Sequence, residues 1–166
     1  MNVRETAIML IELQNDFCYE DRVLYGAVKD QPATQGAAKN TVDLVGKARE
    51  KGVLIVHVPI SFTKDHHELK GPVGILKRVV EGKRMLSSFP STNLDFILRS
   101  RGIRNTAICG FLTNICVEST ARDAYDKTYS VIILKDCTYA TSSEDKIFPA
   151  LGEVMTHEEF LEKLEY

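Results

Sequence analysis

Four short apolar runs, set apart by stretches long enough for a helix, constrain this chain more than any other feature. They are "TAIMLIE" (Thr6 to Glu12), "VLIVHV" (Val53 to Val58), "NTAICG" (Asn105 to Gly110) and "YSVIILK" (Tyr129 to Lys135). Their apolar residues are nearly continuous rather than alternating, the pattern of strands covered on both faces. Between the first two, Thr34 to Lys51 places Ala38, Val42, Val45 and Ala48 on one helical stripe and stops at Gly52. "LDFILRSRG" brings Leu94, Ile97 and Leu98 to one face before Gly102, and Thr92 with Asp95 has capping-box spacing. "NICVESTARDAYDK" reads as a further helix. Thr156 and Glu159 have capping-box spacing ahead of a last one, with Phe160, Leu161 and Leu164 facing inward. Strands alternating with helices predict an α/β fold, a parallel sheet with helices on both sides and right-handed crossovers.

With 166 residues, 44% hydrophobic and 27% charged, the chain reads as one domain, residues 1–166, whose core needs neither metal nor disulfide staples. Lys plus Arg number 21 against 23 Asp plus Glu, a net charge of -2 with the signs interspersed. That balance argues against a nucleic-acid or anionic-membrane surface. No apolar stretch is long enough to span a bilayer, and "MNVRETAIMLIELQNDF" lacks the form of a secretory signal. Cys18, Cys109, Cys116 and Cys137 form no CxxC pair and no zinc-type spacing with histidine. Free thiols in a reducing cytoplasm are the expectation.

In open parallel sheets, ligands sit beyond the carboxyl ends of the strands. Glu12 closes the first strand, and Cys116 follows the third, where the apolar run breaks and a polar helix begins. A helix amino terminus favours a thiolate, a carboxylate can take the thiol proton, and a cation such as Lys83 stabilises the charge that develops. Spacing alone leaves a buried structural thiol as the commoner reading, because free cysteines are among the most buried residue types.

"AIMLIELQNDF", "GKRMLSSFPSTNLDFILRSRGI" and "GFLTNICVESTARDA", in that order, resemble the three signature segments of the isochorismatase-like cysteine hydrolases (the isochorismatase/nicotinamidase superfamily). The resemblance implies a three-layer α/β/α sandwich around a central parallel sheet, Rossmann-type. Carried over by motif, it implies a catalytic triad of Glu12, Lys83 and Cys116, with Glu12 standing where the family commonly has Asp. It implies a cis peptide between Phe111 and Leu112, and an oxyanion hole from the backbone amides of Leu112 and Cys116. The expected activity is hydrolysis of a carbon–nitrogen bond of a small molecule through a thioester, and a homodimer or larger homo-oligomer is the expected assembly. A redox-sensing thiol on the same fold stays open as an alternative, as do isochorismatase-type and nicotinamidase-type hydrolysis. The segments after Lys77 and after Lys146 are shorter than the family pattern.

Phe17, Phe62, Phe89 and Phe111 are candidates for a substrate pocket, although aromatic residues beside strands are usually core. Gln14, Asn15 and Asp16 either orient Glu12 or cap its turn. No cofactor and no metal is expected. Asp65, His66 and His67 stand where nicotinamidase-like relatives bind an ion, but adjacent histidines point apart and read as polar loop. His57 reads as an edge or core histidine, His157 as surface, Arg122 with Asp123 as an ion pair, and Cys109 as a small buried hydrophobe. Cys137 ends a strand near the expected site edge.

Overall fold

The computed structural model describes residues 1–19, 22, 25, 32–60, 87–90, 92–139 and 147–166. Among them, five strands form one parallel sheet: β1 (Thr6–Ile11), β2 (Leu54–Val58), β3 (Asn105–Phe111), β4 (Ser130–Tyr139) and β5 (Gly152–Met155). Their spatial order is β2-β1-β3-β4-β5. The helices are α1 (Asn15–Cys18), α2 (Pro32–Glu50), α3 (Leu94–Ser100), α4 (Glu118–Asp126), α5 (Phe148–Leu151) and α6 (His157–Glu162), with a π-helical turn, Thr113–Val117, leading into α4.

Successive strand side chains point to opposite faces, and here each face meets helices. Ala7, Met9 and Ile11 of β1 join Leu94 and Leu98 of α3 and Ala121 and Ala124 of α4 in one apolar layer. Ile8 joins Leu44 and Ala48 of α2 and Phe160 and Leu161 of α6 in the other. The result is the expected three-layer α/β/α sandwich.

The buried face of α2 is Ala37, Thr41, Leu44 and Ala48, rotated from the expected stripe, and Val42 is 75% exposed. The Thr41 hydroxyl donates to the Ala37 carbonyl at 2.8 Å, which lets a polar residue turn inward where an apolarity count places it outside. Gly52, at φ 77°, ends α2 in a Schellman motif: its N–H donates to Arg49 and that of Val53 to Ala48, both at 3.0 Å. The capping box of α6 forms with both of its bonds, Glu159 N–H to Thr156 Oγ1 at 3.2 Å and Thr156 N–H to Glu159 Oε2 at 2.7 Å.

The Thr92–Asp95 capping box does not form; Asn93 takes the N-cap position of α3. Asp95 instead accepts from the Tyr129 hydroxyl at 2.9 Å and from Arg99 Nε at 3.2 Å. Burial opposes ionisation of Asp95, but these two donors outweigh it and hold the carboxyl below its ordinary range. Arg122 pairs with Glu118 at 2.8 Å, one helical turn away, rather than with its neighbour Asp123. β4 runs past the expected Lys135 to Tyr139, because its register against β3 jumps from Ile108–Ile133 to Gly110–Thr138. Leu134 to Cys137 stand against the single residue Cys109 of β3, and the three extra residues are accommodated as a bulge.

Candidate active site

From β1 the chain goes to β2 on one side and later to β3 on the other, so the strand order reverses between β1 and β3. Such a reversal opens a crevice at the carboxyl ends of the two strands. Ile11 and Gly110 are register partners at that end. Gly110 has φ 124°, and a Cβ there would lie 1.9 Å from the Ile11 carbonyl oxygen. Only glycine lets β3 approach the end of β1 this closely.

The residue that follows β1 is Glu12, 2% exposed and at φ 52°. A left-handed conformation costs an ordinary residue roughly 1–2 kcal/mol, and such outliers gather at functional sites. Its backbone is held on both sides. The Glu12 N–H donates to the Val58 carbonyl at 3.0 Å, and its own carbonyl accepts from the Gln14 N–H at 2.8 Å. The Gln14 carboxamide then bonds the Ile60 backbone twice, Nε2 to the carbonyl at 3.1 Å and Oε1 from the N–H at 2.6 Å. His57 Nε2 lies 2.9 Å from the Leu13 carbonyl oxygen. The turn that carries Glu12 is thereby tied to the end of β2.

On β3 the chain continues through a cis Phe111–Leu112 peptide into the π-helical turn. The Val117 N–H reaches back five residues to the Leu112 carbonyl at 3.2 Å. Single π turns of this kind recur at functional sites. Cys116, 2% exposed, lies in the first turn of the helical run that leads into α4, at the positive end of its dipole. Its carbonyl accepts from the Thr120 hydroxyl at 2.7 Å. Thr120 Oγ1 also accepts from the Ser88 N–H and bonds the Ser88 hydroxyl, both at 3.1 Å. Ser88 is thus pinned to the helical run bearing Cys116.

The structure places Glu12 and Cys116 at the same sheet edge, with Ile11 and Cys116 in one apolar cluster. Phe17, Phe111, Leu112 and Tyr139 form a separate buried cluster, with the Phe17 and Phe111 rings 5.9 Å apart. Phe89 is buried in the same apolar cluster as Ile11 and Cys116 and stacks on Tyr129 at 6.0 Å. Lys83, Phe62, Asp65, His66 and His67, and the short segment after Lys77, lie outside the described residues. After Lys146, the single turn α5 passes directly into β5.

Sequence reading missed Gly110 and Thr120. The signal for the first was a glycine inside an apolar strand, which marks close backbone approach; the second had none. His157 is corrected from surface to buried, at 6% exposure. It packs against carboxylates on α2 and β4 that lie far away in sequence.

The Isochorismatase domain family matches residues 6–159 of this chain. The ureidoacrylate amidohydrolase RutB of Azorhizobium caulinodans is 29% identical over 180 residues, covering 86% of this chain and 79% of that protein. A cysteine hydrolase from Pseudomonas syringae pv. phaseolicola superposes with a TM-score of 0.81 at 22% identity, covering 98% of this chain and 93% of the other. The N-carbamoylsarcosine amidase of Thermoplasma acidophilum gives 0.69 at 24% identity, covering 93% and 97%. The last two likenesses speak to the fold.

Proposed function

Since this chain belongs to the isochorismatase family and is a hydrolase of that family, we propose that it cleaves a carbon–nitrogen bond of a small non-peptide amide, with Cys116 as nucleophile. The observation that carries this reading is that a buried carboxylate residue, Glu12, directly follows β1 and a buried cysteine, Cys116, follows β3, the two strands that flank the switch point of the sheet.

Glu12 takes the thiol proton, and the Cys116 sulfur attacks the carbonyl carbon. Negative charge develops on the carbonyl oxygen, where the Leu112 and Cys116 amides and the Lys83 ammonium stabilise it. The intermediate collapses, the carbon–nitrogen bond breaks, and Glu12 returns its proton to the departing amine or ammonia. A thioester remains. Glu12 then deprotonates water, hydroxide attacks the thioester, and the acid leaves as the thiol is restored.

Attack by a thiol suits an amide better than the enol ether of isochorismate, whose cleavage needs no nucleophilic cysteine. The ureido group in the name of the RutB relative makes ureido acids the first substrates to try. The substrate meets a protein with no described helix long and apolar enough to cross a membrane, and the reading places the enzyme in the cytoplasm as a homodimer or larger homo-oligomer.

A panel of ureido acids and small primary amides, assayed by ammonia release, tests the proposal. Turnover that disappears in Glu12→Gln, while Cys116 keeps its reactivity toward alkylating agents, supports it. No turnover of any amide, together with reversible oxidation of Cys116 by peroxide, favours a redox-sensing thiol instead.

A further inference from the structure

On the face of the sheet opposite Cys116, the bulge in β4 carries Asp136 and Cys137 toward the first residue of α6, His157. Cys137 is fully buried and His157 nearly so. One donor atom from each of the three lies within 4.8 Å of the other two. The proposed hydrolysis uses none of them. We propose that Asp136, Cys137 and His157 form a binding site for a zinc-class divalent ion, joining β4 to α6 and α2.

Three features of the cluster support this. The donors are a thiol, an imidazole and a carboxylate, the mixture that a borderline-soft, tetrahedral ion selects. The imidazole is already oriented. Its Nε2 lies 3.2 Å from Asp43 Oδ2 on α2, while Nδ1 lies 2.6 Å from Asp136 Oδ2. With Nε2 donating to Asp43, Nδ1 can present its lone pair to an ion, the carboxylate–histidine–metal arrangement that fixes ring tautomer and angle. Asp43 is itself held by Lys47 at 2.7 Å. The carboxylate is oriented too, since Asp136 Oδ1 accepts the His157 backbone N–H at 2.8 Å and leaves Oδ2 for the ion. Asn40 Nδ2 donates to the Asp136 carbonyl at 2.9 Å and fixes the bulge against α2.

Without an ion, a proton lies between Nδ1 and Asp136 Oδ2, and burial with the Asp136 charge pushes the Cys137 thiol up to about 12. Binding replaces the first proton and expels the second, so each ion enters as about two protons leave to buffer, and affinity rises with pH. Coordination spreads the 2.6 Å pair to the separation of tetrahedral ligands, with water in the fourth position.

The test uses the full chain freed of metal by chelation and titrated with Co²⁺, then Zn²⁺. The expected result is one equivalent of Co²⁺ per chain, with a thiolate-to-cobalt charge-transfer band in the near ultraviolet that Zn²⁺ abolishes. Cys137→Ser removes the band and weakens binding about 100-fold or more, and Asp43→Asn weakens it about 10-fold with the band retained. A Cys18→Ser/Cys116→Ser double variant keeps the band, which narrows the sulfur to Cys137 or Cys109 even if Cys137→Ser fails to fold, and Cys109 lies outside the donor cluster. No stoichiometric binding, or a band that is lost in the double variant, overturns the site.

Discussion

Cys116 and Cys137 are both buried near the carboxyl edge of one sheet, yet they belong to opposite apolar layers. Cys137 sits in a strand bulge beside the carboxylate of Asp136, and burial first, then that negative charge, keep its proton on. Cys116 sits in the first turn of the helical run leading into α4, at the positive end of its dipole. Burial is common to both; the local dipoles and charges differ. A thiol's reactivity is therefore read from what faces the sulfur and not from its depth.

The comparison breaks most visibly if Cys116 proves dispensable. Cys116→Ser is expected to lower kcat/KM by about 10⁴-fold or more, as removal of a catalytic nucleophile does. Glu12→Gln should cost about 10²–10⁴-fold, the usual range for a general base, and Glu12→Asp should recover part of it. Steady-state kinetics on the first substrate found measures both.

Gly110→Ala tests the approach of β3 to β1 on which the Cys116 side depends. Its Cβ has no room against the Ile11 carbonyl, so we expect a loss of about 3 kcal/mol in denaturant unfolding. Thr156→Ala removes one half of the α6 capping box beside the Cys137 side and should cost about 1 kcal/mol. If the second loss exceeds the first, the sheet edge is less tightly built than the α6 junction.

The smallest effect is on pH dependence. Tyr129, raised to about 12 by burial and then by Asp95, and Cys137, likewise at about 12, both hold their protons longer folded than unfolded. Their contribution is fully present below the unfolded values of 10.0 and 9.0, and is lost as pH rises toward 12. Chemical denaturation from pH 8 upward should show stability falling across that window, and Tyr129→Phe should flatten the upper part.

The sheet was legible because strands buried on both faces leave continuous apolar runs, and the α6 cap because both of its partners lie within four residues. The α2 face was misjudged at Thr41, whose hydroxyl is satisfied within its own helix. The Glu12 and Cys116 side was legible through strand ends and motif. The junction around His157 was not, because its partners come from Asp43 and Asp136, 114 and 21 residues away, and nothing local announces them.

The central claim is that Cys116 is the activated thiol, and its most direct test is alkylation by iodoacetamide followed residue by residue in the native protein across pH. The account predicts that Cys116 reacts with an apparent pKa below the free-cysteine value of about 8.5, while Cys109 and Cys137 stay unmodified. Alkylation of Cys116 as slow as that of Cys109, with no such titration, would contradict it.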